Sequence, residues 1–189
     1  MFIADEATRT FTNNGQRVYS VSDVLALYFP FKTEFMTADA ATKGQVRHEW
    51  YSAIIQNPGI ELEDPDPRIA GEVAAFRKFV EECRPVYKFG EVRYFDPILG
   101  VCGKPDFVGE IAGRLSICDW KPEHSAKRTR AQTAAYKHML NANSIPVLDR
   151  FELRLHADGK YRLDKHRDDG DLTRWPALVA GFFAATHYR

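Results

Sequence analysis

The sequence predicts an α/β or α+β domain in which a small mixed sheet is flanked by helices. Three observations carry this. Residues 38–57 and 67–84 place apolar side chains at three- and four-residue intervals, the repeat of helices with one buried face. After Pro85 the chain changes to short extended segments rich in Val, Tyr, Phe and Ile. It then returns to a helical stretch, a hairpin and a last helix.

In chain order, "FTNNGQRVYS" reads as a hairpin, because Asn-Gly favours the left-handed conformations of a tight turn. A helix begins around Ser20 to Ser22 and stops near Pro30. "ADAATKGQVRHEWYSAIIQN" is a second helix and "PRIAGEVAAFRKFVEECR" a third, so a helical N-terminal part covers about 20–84. Extended segments follow in "VYKFGEVRYF", "GVCGKPDFVGEI" and "RLSICDWK". "TRAQTAAYKHMLNAN" is helical, and "RFELRLHADGKYRLDKH" is a hairpin turning at Asp158-Gly159, which closes a core of about 85–165. An amphipathic helix over about 170–187 ends the chain. No repeat, low-complexity tract or linker divides these elements, so the expectation is one domain over 1–189.

Bulk properties set bounds. Hydrophobic residues make up 44% and charged residues 28%, an ordinary globular mixture. No apolar run approaches the roughly 20 residues that span a bilayer, and "MFIADEATRTF" lacks the apolar core of a signal peptide. The expectation is a soluble, cytoplasmic protein with no membrane partner. Cys83, Cys102 and Cys118 are scattered and form no CxxC pair, so they read as buried free thiols. Twenty-six basic residues balance 26 acidic ones, which argues against a chain coated in positive charge. A local basic groove is still allowed, since "KPEHSAKRTR" is mostly basic while "ELEDPDP" and "RDDGD" are acidic.

The informative stretch is "GKPDFVGEIAGRLSICDWK", residues 103–121. With the turn at Ala112-Gly113, cross-strand partners have numbers that sum to 225. Asp106 then faces Asp119, Val108 faces Ile117 and Glu110 faces Leu115. Alternate residues share a face, so Lys121 joins the two acids. Directly opposed carboxylates destabilise a sheet unless something neutralises them, and a hard divalent cation does so. A lysine beside them can stabilise charge on a phosphate. Two acids, a lysine and a metal suggest phosphodiester hydrolysis; solvated charges at strand ends are the competing explanation.

"GKPD" followed by "DWK" resembles the PD-(D/E)XK nuclease signature, with Pro105-Asp106 as its first half and Asp119-Trp120-Lys121 as its second. "GQVRH", Gly44 to His48, is similar to the Gly-x-x-x-His motif of the RecB-like branch, and Gln132 with Tyr136 to its Gln-x-x-x-Tyr motif. Glu91 stands where many relatives carry an acid, and "FTNNGQRVYSVSDVL" looks like the start of stand-alone phage-type exonucleases. The resemblance covers about residues 11–164.

It implies a restriction-endonuclease-like core in a bacterial or phage-infected cell, serving phage-type recombination or DNA processing. Asp106, Asp119 and His48 would hold Mg²⁺ or Mn²⁺, assisted by the Trp120 carbonyl, with Glu91 in an outer position. Lys121 would stabilise developing charge, and Gln132 and Tyr136 would orient it or touch the DNA backbone. Products would carry 5′-phosphates. Related iron–sulfur nucleases use four cysteines that this chain does not supply. Alternatives remain for single residues: His48 and Tyr136 also fit a core, and Thr129-x-x-Gln132 also fits a capping box. The basic residues Lys127, Arg128 and Arg130 are expected on DNA phosphates. The expected substrate is linear DNA attacked at its ends; a recombination or replication protein as partner is left open. Rival readings are a site- or structure-specific endonuclease, a non-catalytic nucleic-acid-binding module, and an iron oxygenase using His48 and His124, which lacks a facial-triad spacing.

Overall fold

The computed structural model describes residues 1–30, 38–62, 64–122 and 128–187. A meander of β1 (Phe2–Asp5), β2 (Thr10–Asn13) and β3 (Gln16–Ser20) precedes α1 (Val21–Tyr28), α2 (Ala38–Gln56) and α3 (Ala70–Cys83). Five strands follow: β4 (Val86–Phe89), β5 (Tyr94–Asp96), β6 (Val101–Gly103), β7 (Phe107–Ile111) and β8 (Arg114–Pro122). The chain continues through α4 (Arg128–Ala142), β9 (Asp149–Leu155), β10 (Tyr161–Lys165) and α5 (Gly170–His187). The α+β class follows directly.

The strands form two mixed sheets, ordered β1-β2-β3-β6-β5 and β10-β9-β8-β7-β4, where one small sheet was expected. Two segments that read as single extended runs are each broken between the sheets. Residues 86–96 leave the second sheet after β4 and enter the first at β5; residues 101–111 leave the first after β6 and enter the second at β7. Pro105, which has no N–H to give a ladder, marks one break, and Gly90 marks the other. Sequence alternation carries no sign of such corners, because each half still alternates.

The second sheet is covered on both faces. Phe107, Cys118, Trp120, Phe151 and Leu153 pack against Tyr51, Ile54, Phe76 and Phe79 of α2 and α3. Val108 and Ile117 face the opposite way, against α1, α4 and α5 through Leu25, Met139, Leu140 and Trp175. Trp120 anchors the first layer, its ring 5.1 Å from Phe76 and 5.8 Å from Tyr51.

A local signal accounts for the start of α1. Ser20 Oγ accepts from the Asp23 amide at 3.2 Å, and the Ser20 amide donates to Asp23 Oδ2 at 2.8 Å, a reciprocal cap that starts α1 where expected. The capping box considered for Thr129 and Gln132 does not form, because α4 is already helical at Arg128. Among the described residues no helix is long and apolar enough to cross a membrane.

Candidate metal centre

Three elements bring donor groups to one point. His48 lies on α2, held on the sheet by Tyr51 and by Arg47, whose guanidinium forks onto Glu72 of α3 (Nη2–Oε1 2.9 Å). Glu91 lies at the corner between β4 and β5, and Asp106 at the corner between β6 and β7. The Glu91 amide donates to the Pro105 carbonyl at 2.9 Å, so the corners are tied back to back. Gly90 makes the approach possible: a Cβ there would lie 2.2 Å from the Asp106 carbonyl oxygen. Glu91 has φ of +54°, a left-handed conformation that costs a non-glycine residue energy.

His48 Nδ1 is 3.0 Å from Glu91 Oε1 and 3.6 Å from Asp106 Oδ1. One ligand atom from each of the three lies within 4.8 Å of the others, which fits a hard cation with one imidazole ligand. Burial lowers the His48 pKa, but the Asp106 and Glu91 carboxylates outweigh it and the net shift is upward. Burial raises that of Glu91, and its contacts to His48 and Lys104 reverse the shift to a lowered value. Glu91, expected in an outer position, is thus as close to His48 as Asp106 is.

The hairpin has the register its sequence implies. Phe107 pairs with Cys118, Val108 with Ile117 and Glu110 with Leu115. Ala112 (φ +52°) and Gly113 (φ +72°) make the two-residue turn. Asp106 sits in a bend just before β7, and its Oδ2 accepts from the Trp120 amide at 2.9 Å. The Trp120 N–H thus orients Asp106, while the Trp120 ring packs in the core.

Asp119 is fully enclosed at 1% exposure. Lys121 Nζ stands 2.6 Å from Asp119 Oδ2 at angles that do not make a hydrogen bond, and neither carboxylate oxygen has a hydrogen-bond partner among the described residues. Burial pushes the Asp119 carboxyl up, with Lys121 opposing and Asp106 adding. For Lys121 burial acts downward, but Asp119 and Asp106 hold its pKa above the ordinary lysine value. Lys121 is therefore an ammonium donor at neutral pH. A buried carboxylate paired with Lys121 but with no hydrogen bond to its other oxygen, beside the donor cluster, is what a divalent cation would satisfy.

Gln132 and Tyr136 are joined, Nε2 to Oη at 3.1 Å. Tyr136 is buried, and its pKa is raised first by burial and then by the charges of Asp119 and Asp106, which places the ring near both acids. It also lies on Gly103, where a Cβ would meet the ring at 2.7 Å. Two of the basic residues make contacts within the chain. Arg128 donates to the carbonyls of Phe29 and Ser22, and Arg130 pairs with Asp168 (2.7 Å) and Asp171 (3.1 Å) at the start of α5. Lys127 and His124 lie outside the described residues. Cys83, Cys102 and Cys118 occupy α3, β6 and β8 respectively.

A cavity of about 690 Å³ opens onto the donors and is lined by Glu6, Gln45, His48, Glu91, Lys104 and Asp106. Lys104 and Glu6 were missed as site residues. Lys104 lies within the "GKPD" motif, yet nothing in the motif marks it; Glu6 arrives from the N-terminal meander with no local signal.

No protein-family model and no curated protein matches the sequence. Solved structures do match by shape. An alkaline exonuclease from Laribacter hongkongensis superposes with a TM-score of 0.51 at 15% identity, over 90% of this chain and 88% of that one. A candidate exonuclease from Eubacterium rectale gives 0.55 at 13% identity, over 86% of this chain and 77% of that one. The chain has the fold of these structures, consistent with the PD-(D/E)XK fold that the hairpin motif resembles.

Proposed function

We propose that the chain, as one domain over 1–189, is a divalent-metal-dependent deoxyribonuclease that acts on DNA ends and leaves 5′-phosphate products. The observation that carries the reading is the meeting of His48, Glu91 and Asp106 beside the buried Asp119–Lys121 pair. His48, Asp106 and Asp119 would hold Mg²⁺ or Mn²⁺, with Glu91 in reach as a further ligand. When bound, such an ion supplies Lewis acidity to the phosphoryl group and lowers the pKa of water.

The protein groups then have separate roles. Asp106 is oriented by the Trp120 amide, and Glu91 by the strained corner that carries it. Lys121 remains cationic and donates to the phosphate as negative charge builds on its oxygens. Tyr136 and Gln132, joined on α4, would orient Lys121 or touch the DNA backbone. The cavity at the donors is bordered by α2 and by Glu6 of the N-terminal meander, and a site walled in this way favours a threaded end over a site within a duplex. Phage-type recombination or DNA processing in a cytoplasm is the setting this reading suits.

The test uses end-labelled linear DNA and covalently closed circular DNA, single- and double-stranded. Each is incubated with Mg²⁺, Mn²⁺ or EDTA, beside Lys121→Ala. Metal-dependent loss of linear DNA alone, abolished by the substitution, is the expected result. Cutting of circles would replace the exonuclease by an endonuclease on the same site. Absence of cleavage in every lane would sink the catalytic reading.

A further inference from the structure

Glu6 lies in the four-residue turn between β1 and β2, where Asp5 Oδ1 accepts from the amides of Ala7 (3.0 Å) and Thr8 (3.1 Å) and fixes the turn. Its carboxylate is gripped in parallel by Arg93, Nε to Oε1 at 2.5 Å and Nη2 to Oε2 at 2.9 Å. This two-pronged geometry is the one arginine also makes with phosphate. Arg93 is preorganised for it. Its guanidinium lies 4.0 Å from the centroid of the Phe11 ring, Nη1 rests 3.9 Å from Cys102 Sγ, and only 13% of the side chain is exposed. Glu6 itself is half-exposed.

Other cations surround the same carboxylate. Arg93 does most to lower the Glu6 pKa, and Lys104 and Arg9 contribute after it. Lys104 reaches in the other direction to Glu91, Nζ to Oε2 at 2.7 Å. Glu6, Lys104 and Glu91 all line the cavity above the metal centre. Glu6 thus holds the Arg93 guanidinium at the rim of a cavity whose other charged lining residues are Lys104 and the acids Glu49, Glu91 and Asp106.

The geometry points to Arg93 and Lys104 as a subsite for a DNA backbone phosphate, with the Glu6 carboxylate standing in for that phosphate until DNA displaces it. Glu6 is then a built-in competitor that weakens DNA binding, and Arg93 is the residue competed for. No bond is made or broken in the exchange. The inference rests on the nuclease reading, because that reading supplies the polyanion.

The test is the affinity of a fluorescent single-stranded oligonucleotide in EDTA, measured across a salt series for wild type, Glu6→Gln, Arg93→Gln and the double variant. Thermal unfolding of each checks that it is folded. Glu6→Gln should bind several-fold tighter, and its log–log salt dependence should steepen by about 0.7, the increment for one added phosphate contact on a single strand. Arg93→Gln should bind more weakly, and the gain from Glu6→Gln should vanish in its background. A gain that survives in the double variant, or no gain at all, overturns the subsite. Stabilisation of Glu6→Gln by inorganic phosphate but not by the oligonucleotide would make it a small-anion site and overturn the DNA assignment. Wild type that neither binds nor cleaves DNA with Mg²⁺ or Mn²⁺ would instead remove the nuclease reading itself.

Discussion

The amide of Glu91 donates to the carbonyl of Pro105 across 2.9 Å, and this one bond joins the two places where the chain crosses between sheets. Gly90 permits it. Replacing Gly90 by Ala puts a methyl 2.2 Å from the Asp106 carbonyl oxygen, a backbone atom that cannot rotate away. The corner must open. Stability should fall by roughly 2–3 kcal/mol, and cleavage by about 10²-fold because Glu91 and Asp106 move apart. Urea unfolding and initial rates at fixed DNA concentration would show both, and an unaltered rate would mean the corner does not set the site.

Metal affinity should follow the donor cluster. Titration calorimetry with Mn²⁺ should show His48→Ala weakened by roughly tenfold or more, and Glu91→Gln weakened as well. Full affinity in Glu91→Gln would restrict that residue to positioning His48.

The Asp119–Lys121 pair predicts opposite effects on stability and activity. Asp119 is enclosed with no hydrogen bond to its oxygens, so Asp119→Asn should raise the stability of the metal-free protein by about 1 kcal/mol while removing activity. Lys121→Ala deprives that carboxylate of its countercharge. It should cost about 2 kcal/mol, below the roughly 3–5 for a fully buried pair because the Lys121 side chain is 26% exposed. The double variant should recover most of the loss, as thermal melts would reveal. A destabilised Asp119→Asn would contradict this account.

Stability in acid should depend on Asp149 at the start of β9. Arg114 first, and Lys165 after it, hold its carboxyl below the ordinary 3.8. A depressed folded-state pKa adds stability that is fully present above the unfolded value and is lost as pH falls through the folded one. The wild type should therefore lose this contribution below about pH 4. Asp149→Asn should be less stable at neutral pH by about 1 kcal/mol, since Arg114 is half-exposed, and should show a flatter acid limb. Parallel acid limbs would contradict the assignment.

The hairpin was legible because a two-residue turn fixes its register, and alternation then decides which side chains share a face. That logic placed Asp119 and Lys121 together and Trp120 on the other side, as found. His48 was legible only through the motif it resembles, since its helical spacing alone fits a core residue. What escaped was set by contacts distant in sequence. The pairing of Arg130 with Asp168 and Asp171, some forty residues later, has no local signal. The sheet-crossing corners escaped because a break within an alternating run leaves the alternation intact. Glu91's left-handed backbone and its reach to His48 follow from that corner, and no local residue pattern announces them.

Because each corner belongs to both sheets, neither sheet alone can assemble the centre. Asp119 and Lys121 lie on β8, whose parallel neighbour β9 is made only after α4 has intervened. During synthesis from the N-terminus, His48, Glu91 and Asp106 all leave the ribosome before the strand that completes the layer behind them. A nascent or truncated chain would hold these three residues without the framework, so the cluster takes its shape only when folding is almost finished. Long-range topology, rather than any local motif, then decides when in the life of the chain the cluster exists.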